Sequence, residues 1–448
     1  MILMPNNAIL TFDCFMLDLI VSGAIAWLNT FTETNSQLQP LKLFPWEESA
    51  IFDLPSSSAD LVTETLVKAY LQNLTAQNLL TERQGIWVQS DWNILASNRG
   101  EIPLPAASLT KIATTLAALS KWGEQHQFTT DIYVTGDLEN GVITGDLIVK
   151  GTGDPLFVWE EAIALGNALN QLGIEEIRGN ILVSDRFYMN YEDRSLAAGE
   201  LLTQALDRQL WSLETTRQYL QMPAGTKQPE VAIAGQVKAI NFLPANARLL
   251  IRHRSLPLAE ILRQMNIYSN NSIAQMLADL VGGADRVAKV SAEIAGFPIA
   301  EIELINGSGL GEENRISPRA VCQMLMAIDR LLQSHSFNAA DLFPTAGRDL
   351  VGTVRDRGLP RGTTIKTGTL DRVSALAGVI PTSDRSNVYF SIINYGGQIE
   401  YFRQQQDKLL NELVQTWQLI PNNFNFLEEK SWYLGDPKRN KSMEFSDE

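Results

Sequence analysis

The chain of 448 residues is poor in the side chains that build disulfide frameworks and metal centres, with only two cysteines and three histidines. Cys14 and Cys322 are too few for a disulfide framework, and Cys322 lies in an apolar helical run typical of a small core residue. His126, His253 and His335 stand far apart, without metal-ligand spacing and without a G-x-S-x-G motif nearby. We therefore expect no metal, no cofactor and no catalysis by histidine.

Basic residues are also scarce, since the chain has 36 lysines and arginines against 51 acidic residues, and its formal net charge is −15. A nucleic-acid-binding protein needs a basic face to hold phosphates, so no nucleic-acid partner is expected. The same balance argues against a polybasic membrane anchor.

Long hydrophobic runs are missing as well. The most apolar early stretch, Met16 to Leu28, is too short to span a bilayer and contains Asp18. A secretory signal normally begins with positive charge, but the first basic residue is Lys42. This stretch is interpreted as an atypical leader or as a packing helix, with at most peripheral membrane contact. We expect a periplasmic or otherwise extracytoplasmic protein.

Strand and helix patterns predict an α+β fold of two or three domains. Strand patterns near the start and the end of the chain flank a long helical region, so one sheet can close around a helical lobe. Between them, Asn140-Gly141 and Gly145-Asp146 turns indicate an inserted β-rich block. The predicted parts are a leader and linker (1–56), the core's first part (57–125), the insertion (126–245), the core's second part (246–425) and a polar tail (426–448). From Gly435 onward this tail is expected to be disordered.

What is present is a serine and a lysine on one helix turn. Ser108 and Lys111 are three residues apart at the start of an apolar helical run, so their side chains lie on one face. Burial would lower the pKa of the lysine, which could then accept the serine proton. The S-x-x-K pattern alone is weak evidence, because it also arises by chance.

Two further polar triplets follow in order, Ser269-Asn270-Asn271 between helical segments and Lys366-Thr367-Gly368 at the end of a strand pattern. Each has a simpler interpretation by itself: the first as helix caps, the second as a turn at a strand end. The ordered set S-x-x-K, S-x-N and K-T-G makes a common site the stronger prediction.

This set resembles the class C low-molecular-mass penicillin-binding proteins, the D-alanyl-D-alanine carboxypeptidase/endopeptidase family. The resemblance covers about residues 57 to 425. The neighbouring words agree with it: PAASLTK (105–111), GTGDP (151–155), SLPLAEIL (255–262), NGSGL (306–310) and SALAG (374–378). It implies a serine β-lactamase/transpeptidase-like fold, an antiparallel sheet with a helical lobe that carries the β-rich inserted domain.

The resemblance also implies roles for the residues. Ser108 would attack the carbonyl between two D-alanines of a peptidoglycan stem peptide, and Lys111 would take its proton. Ser269 would relay a proton to the leaving amine, and Asn271 would hold the substrate amide. The enzyme would be penicillin-sensitive, with peptidoglycan peptides and β-lactams as its partners.

The K-T-G segment would bind the other end of the substrate. Lys366 and Thr367 would offer a positive charge and a hydroxyl to the terminal carboxylate. Gly368 would let the substrate lie along the sheet edge as an added strand. The backbone N–H groups of Ser108 and Thr369 would form the oxyanion hole, as in the family.

Other readings stay open. The family's usual D-G-S-G-L word here begins with Asn306, and the interval from Asp185 to Ser255 is short for the third domain that the family often carries. A class A β-lactamase would need a glutamate in an E-x-x-L-N loop, whose nearest match, at Asp407, lies in the final helix. A DD-endopeptidase acting on cross-links and a non-catalytic penicillin-sensing module are the alternatives.

Overall fold

The computed structural model describes residues 60–91, 93–184, 186–335, 337–417, 420 and 432–443. The predicted leader and linker, residues 1–56, lie outside the described residues. Within the part of the chain that is described, no helix combines the length and the apolar composition needed to cross a membrane.

The first part of the core contains two strands that pair antiparallel, Gln84–Ser90 and Ile94–Asn98, and the helix that carries the serine–lysine pair. Pro103 and Pro105 precede this helix, where the chain is not yet helical, and Gly123 ends it with a positive φ of 75°. The elements are α1 (Leu61–Thr75), β1 (Gln84–Ser90), β2 (Ile94–Asn98), β3 (Leu104–Pro105) and α2 (Thr110–Trp122).

The insertion follows and contains helices as well as strands. Its elements are β4 (Thr129–Val134), β5 (Leu138–Glu139), β6 (Val142–Ile143), β7 (Leu147–Gly151), α3 (Trp159–Gln171), β8 (Glu176–Ile177), β9 (Ile181–Ser184), α4 (Ser195–Leu206), α5 (Leu213–Tyr219), β10 (Ala232–Ile233), β11 (Val237–Ile240) and β12 (Arg248–Arg254).

The second part of the core supplies the rest of the helical lobe and three long strands. Its elements are α6 (Leu258–Ile267), α7 (Asn271–Val281), α8 (Ala284–Ala295), β13 (Ile302–Glu303), β14 (Arg315–Ile316), α9 (Pro318–Leu332), α10 (Ala339–Leu342), β15 (Thr364–Leu370), β16 (Val373–Thr382), β17 (Ser386–Tyr395) and α11 (Ile399–Thr416). A short strand, β18 (Asn440–Ser442), comes last.

The core is an antiparallel five-stranded sheet in the order β15-β16-β17-β1-β2. Alternate residues of a strand point to opposite faces, and the sheet buries both faces. On β1, Ile86 and Val88 pack with α1 and α11, whereas Trp87 packs with α2 and the helical lobe. The sheet therefore joins two apolar layers, with β15 at the edge beside the start of α2.

The insertion has a hydrophobic core of its own, built from residues between Ile132 and Ile251. Its main sheet runs β11-β9-β7-β4-β12-β18 and mixes parallel and antiparallel pairs. Two expectations need correction. The insertion is α/β, with three helices, and it extends past residue 245 because β12 pairs with β4, more than a hundred residues earlier.

The expectation of a disordered tail is wrong for residues 435–443. The strand β18 pairs through its backbone with the edge of β12, and the Arg439 guanidinium donates to the Glu161 carboxylate of α3. Arg439 also donates to the backbone carbonyl of Arg254 at 3.1 Å. Both charged side chains are almost fully buried, 5% and 1% exposed. Polar composition thus misled the prediction, because the partners lie far away in sequence.

Replacing Arg439 by methionine should destabilise the protein by about 3–5 kcal/mol, because it leaves the Glu161 carboxylate buried without its partner. Urea denaturation followed by circular dichroism measures the change. The control is Arg208→Met, which breaks the exposed pair with Glu230 and should cost at most about 1 kcal/mol. Equal effects of the two substitutions would contradict the structural role of the buried pair.

Candidate active site

Ser108 lies in a short 3₁₀ turn, Ala107–Leu109, that leads directly into α2. The preceding Ala107 has a positive φ of 47°, which is costly for a residue with a side chain and is typical of a functional turn. This turn leaves the Ser108 side chain partly exposed, while Lys111 is completely buried one turn further on. Lys111 Nζ lies 3.0 Å from Ser108 Oγ, as the three-residue spacing predicts.

The Lys111 amine has two more partners, and both can only accept. Its Nζ lies 2.7 Å from Asn271 Oδ1 and 2.7 Å from the backbone oxygen of Ser308. Burial lowers the pKa of Lys111 to about 7. A neutral amine has two hydrogens and one lone pair. With both hydrogens donated to the two oxygens, the lone pair faces the Ser108 hydroxyl.

The NGSGL loop is what brings the Ser308 carbonyl to Lys111. The Asn306 side-chain oxygen accepts from the backbone N–H groups of Ser308 and Gly309, at 3.1 and 2.8 Å. The Thr114 hydroxyl of α2 donates to the Gly307 carbonyl at 2.7 Å. Asparagine at 306 therefore organises this loop. The motif word marks the loop in the sequence, but it does not reveal the contact of Ser308 with Lys111.

The S-x-N triplet forms the turn between α6 and α7. Ser269 has a positive φ of 53°. The side chain of Asn270 caps α7 by accepting from the N–H of Ile273 at 3.0 Å, so helix capping and the site use different members of the triplet. Asn271 contacts Lys111 directly through its side-chain oxygen, and its predicted role in holding the substrate amide stays a prediction.

Lys366 lies on the edge strand β15 and is buried, 1% exposed. Its Nζ donates to Ser269 Oγ at 3.0 Å and to the Thr367 carbonyl at 2.9 Å. Burial and the neighbouring Lys111 hold the pKa of Lys366 well below its usual range. The two lysines thus form two separate lysine–serine pairs, Lys111 with Ser108 and Lys366 with Ser269.

Gly368 is required by the close approach of β15 to the serine turn. A Cβ atom at this position would lie 3.0 Å from the Ser108 nitrogen and 3.0 Å from the Ala106 oxygen. The Thr367 hydroxyl donates to Thr353 at 2.7 Å. The Thr369 hydroxyl accepts from Arg403 at 3.0 Å. The sequence predicted the four K-T-G-T residues but neither of these partners.

These residues line a cleft of about 540 Å³ that Ser108, Ser269, Thr367 and Thr369 share. Its outer wall comes from a loop and from α11, which contribute residues that sequence reasoning missed because no motif marks them. Asp407, the distant match to a β-lactamase glutamate, is bound to Arg357 at this wall. The outer wall is lined by Gly352, Thr353, Asp356, Arg357, Glu400, Arg403, Gln404 and Asp407.

The fold and the serine–lysine cleft place the protein among the serine hydrolases of the β-lactamase and transpeptidase type. The model of the D-Ala-D-Ala carboxypeptidase 3 (S13) family matches residues 67–199 and 214–415, and the chain belongs to this family. The predicted resemblance and the predicted fold class are therefore confirmed. So is the enzyme class, a serine-type D-Ala-D-Ala carboxypeptidase.

Curated relatives agree with this assignment. The chain is 23% identical over 396 residues to the D-alanyl-D-alanine carboxypeptidase DacB of Haemophilus influenzae, covering 66% of this chain and 81% of that protein. It is 24% identical over 405 residues to the D-alanyl-D-alanine carboxypeptidase of Actinomadura sp. strain R39, covering 66% and 74%.

A solved structure shares the fold at low sequence identity. It is a predatory peptidoglycan endopeptidase from Bdellovibrio bacteriovorus, with a TM-score of 0.64, 20% identity and coverage of 75% of this chain and 94% of that one. Its penicillin G-acylated form, in complex with an immunity protein, aligns with a TM-score of 0.62 and 21% identity, covering 74% and 91%.

Gly368→Val should slow acylation by penicillin at least about a hundredfold, because the added side chain would press on the Ser108 turn and shift the site by a fraction of an ångström or more. Intact-mass measurement over time gives the rate. Gly358→Ala is the control, because its Cβ would meet only Asp407 at an ordinary 3.8 Å. A Gly368→Val variant with wild-type acylation would show that the close approach does not matter.

Proposed function

We propose that the protein removes the terminal D-alanine from peptidoglycan stem peptides through an acyl-enzyme on Ser108. The observation that carries this proposal is the Lys111 amine, whose two acceptor contacts direct its lone pair to Ser108. Lys111 removes the Ser108 proton as Oγ attacks the carbonyl carbon between the two D-alanines. The backbone N–H groups of Ser108 and Thr369 stabilise the oxyanion.

The leaving amine needs a proton when the C–N bond breaks. Ser269, hydrogen-bonded to Lys366, supplies its hydroxyl proton. Ser269 is reprotonated through Lys366 by the proton that Lys111 took from Ser108, so Lys111 is neutral again. D-Alanine then leaves and the acyl group remains on Ser108. A water molecule then attacks this ester and gives a proton to the neutral Lys111 amine. Lys111 returns this proton to Ser108 Oγ as the ester bond breaks, which restores the free enzyme.

The substrate class and the location follow from the same proposal. The relatives named above are D-alanyl-D-alanine carboxypeptidases. Peptides that end in D-Ala-D-Ala belong to the cell wall, so the protein acts outside the cytoplasm. β-Lactams acylate the same serine, in keeping with the penicillin G-acylated structure that shares the fold. Cleavage of cross-links is the second candidate, because the protein in that structure is named a peptidoglycan endopeptidase.

Ser108→Ala should abolish both D-alanine release from a peptide ending in D-Ala-D-Ala and the single penicillin adduct seen by intact mass. The matched control is Ser120→Ala, at an exposed serine on the same helix, which should keep both activities. An adduct that persists in Ser108→Ala would refute the nucleophile. Wild-type acylation by penicillin without D-alanine release would support the non-catalytic sensing alternative, and release from cross-linked dimers alone would support the endopeptidase.

The rate of penicillin acylation should rise with pH and level off above about pH 7, because the pKa of Lys111 is about 7 and only the neutral amine accepts the Ser108 proton. Below this value the rate should fall by about tenfold per pH unit, in proportion to the neutral fraction. Stopped-flow measurement with a chromogenic penicillin between about pH 5 and pH 9 gives the profile. A rate that keeps rising toward about pH 10, the ordinary lysine value, would contradict a lowered pKa.

A further inference from the structure

In the proposed mechanism the NGSGL loop has to keep the Ser308 carbonyl against the Lys111 amine. On one side of Ser308 the loop is anchored at Gly307. The Gly307 carbonyl accepts from the Thr114 hydroxyl at 2.7 Å, and its N–H donates to the Gln275 side chain at 3.0 Å. On the other side of Ser308 the chain leaves the loop toward β14, so a second anchor is needed at this exit.

The side chain of Asn314 supplies that anchor, because it joins the entry of the loop to its exit. Its Oδ1 accepts from the backbone N–H groups of Ile305 and Asn306, at 3.0 and 3.3 Å. Its Nδ2 donates to the backbone oxygens of Leu310 and Gly311, at 3.1 and 3.3 Å. An amide side chain has two acceptor positions and two hydrogens, so all four are used at the base of one loop.

The backbone of Asn314 holds the serine turn as well. Its carbonyl accepts from the N–H of Ala106 at 2.9 Å, two residues before Ser108, and β14 pairs with β3 directly beyond this contact. The loop and the turn also lie against each other, because a Cβ atom at Gly309 would overlap the backbone oxygen of Ala107. Asn314 therefore links the loop to the turn that carries the nucleophile.

Asn306 and Asn314 hold different things. Asn306 lies within the loop and bonds to other loop residues, Ser308 and Leu310 among them, so it gives the loop its shape. Asn314 lies on the chain that continues into β14, so it sets where the loop lies relative to the serine turn. It is 0% exposed and lies outside the set of described residues that line the cleft. It acts through other groups and not by contact with the substrate.

We infer that Asn314 is a positioning residue for acylation, which keeps the Ser308 carbonyl and the Ser108 hydroxyl at fixed places around the Lys111 amine. This inference rests on the proposed function, because it concerns the same acyl-enzyme. Without the Asn314 amide the exit of the loop is released and the Ser308 carbonyl is held from one side only. The lone pair of Lys111 is then no longer directed to the serine.

Asn314→Ala should lower the rate constant of acylation at saturating penicillin about 10- to 100-fold, because a misplacement of about 1 Å has a cost of this size. The dissociation constant of the complex that precedes acylation should change less than about twofold, since the cleft residues themselves are untouched. Stopped-flow measurement over a range of penicillin concentrations separates the two quantities. Asn314→Ser should show a smaller loss of the same kind, because its hydroxyl can still bond to one end of the loop. It carries the test if Asn314→Ala does not fold.

Asn394→Ala is the matched control, because Asn394 is also a fully buried amide, 0% exposed. Its Oδ1 accepts from Tyr70 and Gln406, both at 2.8 Å, and its Nδ2 donates to Gln84 at 2.9 Å. These partners lie on α1, α11 and β1, and none belongs to the loop or the serine turn. Both alanine variants should melt at a lower temperature, but only Asn314→Ala should slow acylation.

Three results would overturn the inference. They are equal slowing in the two alanine variants, slowing that comes only from weaker penicillin binding, and wild-type acylation in Asn314→Ala. Failure of the proposed function gives a different result. If the wild type is acylated on Ser108 but releases no D-alanine, the carboxypeptidase function is refuted, while the acylation rate of Asn314→Ala relative to the wild type still decides the inference. A wild type that is not acylated at all would refute both.

Discussion

The chemistry of this protein depends on a lysine amine held in a dry site by two oxygens that can only accept. Lys111 is fully buried at the start of α2, and the side chain of Asn271 and the carbonyl of Ser308 take up two of its bonding directions. Burial favours the neutral amine. The remaining direction leads to Ser108, so in the proposed mechanism one desolvated group both activates the nucleophile and sets its pH range.

Three distant parts of the chain are needed to make that environment. The S-x-N turn supplies Asn271, the NGSGL loop supplies Ser308, and the edge strand β15 supplies Lys366. Two of the local conformations are unfavourable in themselves, the positive φ values of Ala107 and Ser269. Such strain persists only where the surrounding packing holds it. Here the helical lobe and the five-stranded sheet close around the site from both sides.

The sequence allowed the fold and the part of the site that the three motifs form to be predicted, because both leave local signals in the sequence. The three motifs follow in a fixed order, and the strand patterns of β1 and β15 to β17 are visible without a structure. The outer wall of the cleft could not be predicted in this way. Arg403 lies on the polar face of an ordinary amphipathic helix, and Thr353 lies in a loop without a motif, so only the tertiary fold brings them to Thr369 and Thr367. Arg439 was missed for the same reason, because its partner Glu161 is far away in sequence.

In the proposed mechanism Lys111 is the neutral base of the resting enzyme, and the titration of its side-chain amine can be measured. Nuclear magnetic resonance of lysine-labelled protein follows each side-chain amine as the pH changes, and Lys111→Met identifies the signal. The structure predicts that this signal titrates with a midpoint near a pKa of about 7, far below that of the surface lysines. A Lys111 signal that titrates near the ordinary lysine value of about 10 would contradict a neutral Lys111 in the resting enzyme.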